Sequence, residues 1–542
     1  MAIAVIAEQT GWRKTIRGII IFVTFACLTA GCQNDAGRQY CAGQTQINII
    51  PRPGNVTVNK GCFRFSRGTK IYIPSEAGLE DMGGYLAQII RQSSGYDLEI
   101  KKFEEAGNYS NAITLRLENQ QCLGEEGYAL CVTPNSIAVK AAKPAGLFYG
   151  VQTLRQLLPA TVESAKAAGN AGLTVPCVEI EDKPAFVWRG LLLDCSRTFL
   201  TKEYIMRYID LLALYKMNVL QLHLTDDQGW RPEIKKYPEL TKVCSRFSEK
   251  YPDEKSGYYS QDDIRQIVEY GRRRYVTIVP EIEMPGHSSS VFVAYPQLSC
   301  RGRKTEIFPF GKGPNITNEV FCAGNDEVFS FLENVLIEVM EMYPSEYIHI
   351  GGDEVPKDRW NECPKCRARI RQEDLKDANE LQSYFIRRIE KFINSKGRKL
   401  IGWDEILEGG LAENAAVMSW RGTQGGIKAA GMGHKVVMSP TSHCYFDYDV
   451  NSTPLKETYS FDPVAGLSSE NRKYILGGQG NMWTHLARTE PAIDGQIFPR
   501  MIALSEVLWT SAEMKDFNDF HARLVVHYKR LDIMAVKYGP EK

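Results

Sequence analysis

The sequence predicts an α/β protein in which a (β/α)8 barrel follows a small α+β domain. Two observations support the barrel. Eight apolar, strand-like runs alternate with helical patterns over residues 183–542, and this count and length are typical of a (β/α)8 barrel. Nearly every run also ends in polar or aromatic residues, as expected where parallel strands direct their carboxyl ends at one site. An open doubly wound sheet is the alternative, but the chain has no GxGxxG phosphate loop.

Residues 1–32 are predicted to be a signal peptide. A basic segment containing Arg13, Lys14 and Arg17 precedes GIIIFVTFACLTA, an apolar run too short to span a bilayer comfortably. The following LTAGC resembles a bacterial lipobox, which implies cleavage before Cys32 and lipid attachment to its sulfur. A simple cleaved signal and a single-span anchor are the alternatives.

Residues 33–46 are polar and are expected to form a tether between this lipid and the fold. We therefore expect an exported lipoprotein whose lipid holds it to a bacterial membrane, the outer membrane being favoured. The protein would face the periplasm or the cell surface, and the lipid would be its one contact with the membrane.

Residues 47–182 are predicted to form the α+β domain. NAITLRL is typical of a strand, GYALCVTPNSIAVKAA of a hairpin with its turn at TPNS, and GLFYGVQTLRQLL of a helix. The segment EDKPAF at 181–186 marks the expected boundary, which assigns residues 183–542 to the barrel domain.

The strand-like runs of the barrel are nearly continuous apolar segments, as in parallel sheets that are buried on both faces. In chain order they are VWRGLLLDCS, NVLQLHLTDD, YVTIVPEIEMPGH, EYIHIGGDE, RKLIGWDE, AAVMSWRG, HKVVMSP and YILGGQGNMWT. Helical spacing of apolar residues occurs between several of them, in KEYIMRYIDLLALYKM, SQDDIRQIVEYGRRR and DEVFSFLENVLIEVMEMY.

Composition argues against several classes of function. Lys+Arg and Asp+Glu both number 65, and a neutral chain without a basic block gives no support for nucleic-acid binding. The chain has eight histidines but no HxxxH or HxH pair, so no catalytic metal is expected. It also lacks the GxSxG motif of acyl-transfer enzymes. Nothing in the sequence predicts an oligomeric state.

Fourteen cysteines are present, and export would permit disulfides. Cys300 and Cys322 flank one loop and are expected to pair. The CPKC motif of Cys363 and Cys366 has zinc-ribbon spacing, but no second CxxC or histidine pair lies nearby in sequence. We therefore interpret CPKC as a loop disulfide or as free thiols rather than as a metal site.

The side chains at the strand ends favour a carbohydrate site. Taken singly, a strand-end Asp is often only a helix N-cap, and a Trp is often only part of the core. Their concentration at one end of successive strands is harder to explain in that way. Carboxylates and an arginine bind sugar hydroxyls and aromatic rings stack on sugar faces, so this profile is typical of a glycoside hydrolase. The strand-end residues are Asp194, Arg197, Asp226, Asp227, Glu281, Glu283, His287, Asp353, Glu354, Trp403, Trp420, Tyr445, Asp447 and Trp483.

Several segments resemble glycoside hydrolase family 20, the β-N-acetylhexosaminidases: LLLDCSRTF, LHLTDDQGWR, PEIEMPGH, HIGGDEV and GGQGNMWT. The resemblance spans about residues 47–540 and includes the small N-terminal domain. It implies an exo-acting, retaining enzyme that removes terminal GlcNAc or GalNAc from glycans without a cofactor. In such enzymes the acetamido oxygen of the substrate attacks C1 and forms an oxazolinium intermediate.

The resemblance also implies separate roles for the adjacent acids Asp353 and Glu354. Glu354 would be the general acid and later the base, Asp353 would bind the acetamido N–H, and Tyr445 would hold the acetamido oxygen. Neighbouring side chains of a strand point to different sides, so two adjacent acids are poorly placed to serve as the usual acid–nucleophile pair. Their adjacency is reasonable if the substrate supplies the nucleophile.

Further positions match the substrate-binding residues of the family. Arg197 would bind O3 and O4 of the sugar, Asp447 would lie near O6, and Asp226 with His287 would keep Glu354 protonated and aimed in the Michaelis complex. The remaining matches are the three walls of the sugar and acetamido pocket: Trp403, Trp420 and Trp483.

One position departs from the family pattern. The family has a glutamate two residues after the last tryptophan, where this chain has His485. Two interpretations are open: a neutral substitution within a subfamily, or a binding site for a sugar altered at C4 or C6, such as 6-sulfo-GlcNAc. Release of a disaccharide and non-catalytic glycan binding are further alternatives.

Overall fold

The computed structural model describes residues 47–75, 78–103, 109–119, 121–164 and 172–542. The predicted signal peptide, the tether and Cys32 therefore lie outside the described residues. Within the described ranges, no helix combines the length and apolarity needed to cross a membrane.

The N-terminal domain is built on one mixed sheet. Its strands are β1 Asn55–Arg64, β2 Lys70–Ile73, β3 Glu99–Lys102, β4 Ala112–Leu117, β5 Tyr128–Val132, β6 Ser136–Ala141 and β7 Thr174–Asp182. They lie in the order β1-β7-β5-β6-β4-β2-β3, and the helices α1 Leu79–Ser94 and α2 Pro144–Leu157 pack against them. The predicted strand, hairpin and helix correspond to β4, β5–β6 and α2, which confirms the α+β assignment.

The rest of the chain forms a closed parallel barrel, as predicted. Its strands are β8 Trp188–Asp194, β9 Val219–His223, β12 Thr277–Glu281, β13 Tyr347–His349, β14 Lys399–Trp403, β15 Ala416–Ser419, β16 Val436–Met438 and β17 Ile475–Met482; a short ribbon of β10 Thr225–Asp226 and β11 Gly229–Trp230 follows β9. Each barrel strand pairs in parallel with its neighbours, and β17 pairs with β8 to close the ring. All eight apolar runs of the sequence are therefore barrel strands.

Helices surround the barrel strands or extend the loops between them. They are α3 Lys202–Leu214, α4 Glu239–Lys242, α5 Gln261–Arg272, α6 Asp326–Met342, α7 Asp358–Glu362, α8 Pro364–Gln372, α9 Ala378–Ser395, α10 Gln424–Gly431, α11 Thr441–Cys444, α12 Leu455–Ser460, α13 Glu490–Ile497, α14 Arg500–Trp509 and α15 Phe517–Ile533. Several have side-chain N-caps; in α5, Ser260 and Asp263 form a reciprocal capping box.

A buried polar network joins the two domains at the end of β7. Asp182 accepts hydrogen bonds from the Tyr128 hydroxyl at 2.7 Å and from Trp509 Nε1 at 2.9 Å, and it pairs with Lys216 Nζ at 3.0 Å. Because these partners come from β5, α14 and the end of α3, one carboxylate fixes the N-terminal domain against the barrel.

The two mouths of the barrel differ. A cavity of about 650 Å³ lies at the mouth where the strands begin, and Trp188, Val219, Tyr347 and Tyr149 are among its lining residues. None of the predicted site residues lines this cavity. The carboxyl ends of the strands open at the other mouth, which is where barrel enzymes carry their active sites.

Candidate active site

The structure places every predicted catalytic and substrate-binding residue at the carboxyl-end mouth of the barrel. Each residue lies at the end of a strand or in the loop that follows it: Arg197 after β8, Asp226 after β9, His287 after β12, Asp353 and Glu354 after β13, Trp403 at the end of β14, Trp420 after β15, Tyr445 and Asp447 after β16, and Trp483 and His485 after β17.

A chain of charged contacts crosses the mouth. Arg197 Nη2 lies 2.6 Å from Asp226 Oδ2, and Asp226 Oδ1 lies 3.2 Å from His287 Nδ1. The other imidazole nitrogen, His287 Nε2, lies 3.4 Å from Glu354 Oε2 and 3.6 Å from Asp353 Oδ2. A buried aspartate therefore orients the imidazole toward both acids of the DE pair.

The adjacent acids are not separated in the way the sequence predicted. Their carboxylates both contact His287, so the expected divergence of neighbouring strand side chains is wrong here. The reason is local: the pair follows β13 in a tight loop, where Gly351, Gly352 and Glu354 have φ values of 66°, 91° and 48°. The acids differ in exposure instead, since the side chain of Asp353 is 13% exposed and that of Glu354 is 41% exposed.

Gly351 is required by this geometry. A Cβ at Gly351 would lie 1.7 Å from Glu283 Oε2, so the backbone approaches a buried carboxylate closely. Its positive φ also lies in the region that favours glycine. Glu354 and His287 adopt similar φ values, 48° and 45°, without being glycine, and such strained positions cluster at functional sites.

Burial and neighbouring charges shift the pKa values of His287 and of the two acids beside it. Burial alone would lower the pKa of His287, but Asp226 and Asp353 outweigh it and raise this pKa well above its usual range. Hydrogen bonding from His287 lowers the pKa of Glu354, whereas burial raises the pKa of Asp353. Without substrate the proton is therefore favoured on His287, whereas the expected protonation of Glu354 concerns the Michaelis complex.

The aromatic residues form one wall of the mouth. The rings of Trp420 and Tyr445 stack with centroids 6.0 Å apart at 23°, and the rings of Trp403 and Trp483 lie 5.9 Å apart. The Arg197 guanidinium lies 4.9 Å from the ring centre of Trp483, a distance suited to cation–π attraction. Burial raises the pKa of Tyr445 well above 10, so its hydroxyl stays neutral and can donate a hydrogen bond.

Two buried acids accept hydrogen bonds from the tryptophans of this wall, a role that the sequence did not reveal. Glu281 accepts a hydrogen bond from Trp403 Nε1 at 2.8 Å and lies 2.9 Å from His223 Nδ1 and 3.1 Å from His349 Nδ1. Glu405 accepts from Trp420 Nε1 at 2.9 Å.

Burial raises the pKa of Glu405 to about 8. Glu281 was noted as a strand-end acid in PEIEMPGH, but nothing in GWDE indicated that Glu405 supports a tryptophan.

Asp447 and His485 lie side by side at the rim. His485 Nε2 is 4.0 Å from Asp447 Oδ2, and the rings of His485 and Phe310 are 4.8 Å apart. Burial lowers the pKa of His485, and the charge of Arg197 adds to this effect. Burial raises the pKa of Asp447 to about 7. The imidazole that replaces the family glutamate is therefore neutral at physiological pH.

The expected disulfide between Cys300 and Cys322 is wrong, because neither residue is disulfide-bonded. Both residues instead approach Cys363 and Cys366 of the CPKC motif. The sequence did not indicate this convergence, since 41 residues separate Cys322 from Cys363.

Comparison with known proteins agrees with this geometry. The model for the catalytic domain of glycosyl hydrolase family 20 matches residues 186–512, and the model for domain 2 of the same family matches residues 46–183. The chain belongs to glycosyl hydrolase family 20. It is therefore a glycoside hydrolase, and the resemblance drawn from the sequence motifs is confirmed.

Similar family 20 proteins come from several bacteria. A β-hexosaminidase of Porphyromonas gingivalis is 43% identical over 509 residues, which cover 91% of this chain and 64% of that protein. This chain thus spans less than two thirds of that relative. A β-N-acetylhexosaminidase of Cellulomonas fimi is 30% identical over 89% of this chain and 93% of its own length.

Solved structures of family 20 share the fold. The β-N-acetylhexosaminidase of Streptomyces coelicolor superposes with a TM-score of 0.81 at 30% identity, covering 91% of this chain and 97% of that one. The N-acetyl-β-hexosaminidase of Streptomyces plicatus in complex with Thio-NAglucal also gives 0.81, at 28% identity over 91% and 97% of the two chains.

Proposed function

We propose that this family 20 chain is an exo-acting β-N-acetylhexosaminidase that releases terminal GlcNAc or GalNAc with retention of configuration. The observation that carries the proposal is the row of contacts from Asp226 through His287 to Glu354, next to the half-buried Asp353 and an aromatic wall. A related Streptomyces plicatus hexosaminidase has been solved in complex with the product GlcNAc, which supports the substrate class.

Asp353 is proposed to bind the acetamido group of the sugar. Its Oδ1 is buried and has no hydrogen-bond partner among the described residues. Buried carboxylate oxygens are normally satisfied, so this atom is suited to accept the acetamido N–H of a substrate. Tyr445 carries a neutral hydroxyl on the same wall and would donate to the acetamido oxygen.

The reaction would proceed in two steps. In the first, the acetamido oxygen bonds to C1 while the bond from C1 to the leaving oxygen breaks, and Glu354 gives its proton to that oxygen. Asp353 stabilises the positive charge of the resulting oxazolinium ring. In the second, the Glu354 carboxylate takes a proton from water as the water oxygen attacks C1, which restores the acetamido group and the acid.

Substrate binding is proposed to deliver the proton to Glu354. The half-exposed Glu354 loses water when a sugar covers it, and desolvation favours the neutral acid. The acetamido N–H simultaneously favours the charged form of Asp353. His287 Nε2 lies 3.4 Å from Glu354 Oε2 without an aligned hydrogen bond, so the proton can pass once the two atoms align on substrate binding; Asp226 stabilises the imidazole cation in the free enzyme.

Arg197 is proposed to bind O3 and O4 of the terminal sugar, and Asp447 with His485 to lie near O6. Arg197 is fixed by Asp226, and its Nε donates to Gln228 Oε1 at 3.2 Å. Because His485 is neutral, it would not attract a sulfate by charge. Its imidazole could still donate a hydrogen bond to the sugar.

Two substitutions test the residue roles. Glu354→Gln should reduce turnover of substrates with poor leaving groups by at least about a hundredfold, because general acid catalysis contributes on that scale. Asp353→Asn should lower kcat strongly with the fold intact. The matched control is Glu362→Gln, an exposed change nearby in the segment after β13. Near-normal activity in both site variants would refute the assignment.

A thiazoline analogue of the oxazolinium ring tests acetamido participation separately. The wild-type chain should bind it much more tightly than GlcNAc, since transition-state and intermediate analogues exceed substrates in affinity. Binding no tighter than that of GlcNAc would favour glycan binding without catalysis.

We also propose that the mature chain is a lipoprotein attached through Cys32, on the strength of the LTAGC motif. Metabolic labelling with a fatty-acid analogue should label the wild type and not Cys32→Ala, and the variant should leave the membrane fraction. Equal membrane association of both chains would contradict the lipid anchor.

A further inference from the structure

Four cysteines from two loops meet beside the active site. Cys300 and Cys322 lie between β12 and α6, while Cys363 and Cys366 lie at and just inside the start of α8. The sulfur of Cys366 lies 3.8 Å from that of Cys300 and 3.6 Å from that of Cys322, and the Cys322 and Cys363 sulfurs are 3.7 Å apart. All four sulfurs lie within 4.8 Å of one another.

These distances fit a tetrahedral zinc site and not a disulfide. A Zn–S bond is about 2.3 Å long, so four sulfurs around one zinc ion lie about 3.8 Å apart. Three of the six separations are 3.6–3.8 Å and match that value, and all six are within 4.8 Å. A disulfide would bring two sulfurs to about 2.05 Å, and it would leave the other two thiols without a role.

The backbone holds the two loops in contact. A Cβ at Gly324, two residues after Cys322, would lie 2.2 Å from the carbonyl carbon of Lys365 and 2.5 Å from the backbone nitrogen of Cys366. Only glycine therefore permits this approach. Trp360 Nε1 also donates to the Phe321 carbonyl at 2.9 Å, so the loops are joined on both sides of the sulfurs.

The sulfurs are shielded and chemically uniform. Cys322, Cys363 and Cys366 are buried, and Cys300 is half-buried. Among the described residues this is the one group of potential metal ligands that consists of cysteines alone. Soft thiolate ligands in tetrahedral array select zinc over magnesium or calcium.

We propose that Cys300, Cys322, Cys363 and Cys366 bind one structural Zn²⁺ as four thiolates. Each thiol loses a proton to solvent as its sulfur bonds to the ion, so binding releases four protons and transfers no electron. Four protein ligands leave no open position for substrate or water, and the ion is therefore structural rather than catalytic. This replaces the interpretation of CPKC as a disulfide or as free thiols.

The ion would position the catalytic loops. The segment from Glu354 to Cys363 carries the acid, and the Phe321 backbone N–H donates to the carbonyl of Pro285 at 3.0 Å, two residues before His287. A zinc ion bound by Cys322 and Cys363 would thus join the loop that carries Glu354 to the loop that carries His287.

Metal analysis of the full chain, grown with zinc and purified without chelators, tests the site independently of activity. We expect about one zinc ion per chain, and replacement by Co²⁺ should produce the visible and charge-transfer absorption of tetrahedral cobalt thiolate. After chelation and denaturation without reductant, all four cysteines should be alkylated. Absence of zinc, or protection of these cysteines as disulfides, would overturn the proposal.

A variant tests the positioning role. Cys366→Ser should lose zinc, melt at lower temperature and lose more kcat on poor leaving groups than on 2,4-dinitrophenolate, which needs little acid assistance. Cys122→Ser, an exposed cysteine outside the group, is the matched control and should keep its zinc and melting temperature. If Cys366→Ser does not fold, stripping zinc from the wild type with a strong chelator gives the same comparison. If the melting temperature and the leaving-group dependence are unchanged after zinc loss, the proposal that zinc positions the catalytic loops is refuted.

Discussion

Asp447 should lower the stability of the fold at alkaline pH, and Asp447→Asn measures by how much. The carboxylate is buried, its Oδ1 has no hydrogen-bond partner among the described residues, and its Oδ2 is 4.0 Å from His485 Nε2. Burial raises the pKa of Asp447 to about 7. Because asparagine has nearly the same shape, the substitution removes the charge and little else.

The sign and size of the stability change follow from the pKa of Asp447 in the folded chain and in the unfolded chain. An aspartate in an unfolded chain titrates near about 3.9. Since the folded-state pKa is higher, stability from the neutral carboxyl is fully present below about pH 4 and is lost as the pH rises through about 7. Relative to a residue that does not titrate, the raised pKa of Asp447 therefore lowers the stability by about 4 kcal/mol at pH 8 and by roughly 1.5 kcal/mol at pH 5. Asp447→Asn should recover these amounts.

Thermal unfolding followed by circular dichroism at pH 5 and pH 8 provides the assay. An unfolding entropy of about 2.1 cal/mol/K per residue gives about 1 kcal/mol/K for roughly 500 residues, so the variant should melt about 4 °C above wild type at pH 8 and about 1.5 °C above it at pH 5. Both chains must be scanned at one rate, because unfolding of a two-domain protein can be irreversible.

Asp449→Asn serves as the control on the same loop. Asp449 is exposed, and a hydrogen bond from the Asn451 backbone lowers its pKa, so its removal should not stabilise the chain as the pH rises. A difference in melting temperature between wild type and Asp447→Asn that does not grow between pH 5 and pH 8 would refute the reasoning. The variant should also lose activity if the carboxylate lies near O6 of the sugar, as proposed above.

Three further substitutions probe the mouth of the barrel. Gly351→Ala should lower both the melting temperature and kcat, because its Cβ would overlap Glu283 Oε2; preserved values would show that the loop can move away. Arg197→Lys should reduce kcat/KM by about 10- to 100-fold, since charge-assisted hydrogen bonds contribute about 1.5–3 kcal/mol, and an unchanged kcat/KM would remove Arg197 from the site. His485→Glu should lower activity on 4-nitrophenyl 6-sulfo-GlcNAc more than on 4-nitrophenyl GlcNAc, because a carboxylate repels the sulfate. A strong preference for the unsulfated substrate that His485→Glu leaves unchanged would exclude a sulfated sugar.

Much of the fold could be predicted because its signals are local. Each barrel strand is a short apolar run such as NVLQLHLTDD, and parallel strands place their ends at one mouth whatever their exact boundaries. The motif HIGGDEV likewise marked the loop that carries Asp353 and Glu354. The cysteine group could not be predicted in this way, because Cys300 and Cys366 are 66 residues apart and only the packing of two loops brings them together.

By itself, then, the sequence determined the barrel, the N-terminal domain and the set of residues at the mouth, since these follow from periodicity and from motifs within single segments. The tertiary structure decided how the members of that set act on one another. It placed both acids beside His287, joined Glu405 to Trp420 by a hydrogen bond, and lowered the pKa of Glu354 while raising that of Asp353. Burial and the distance between charges control these properties, and both depend on segments that are far apart in the chain.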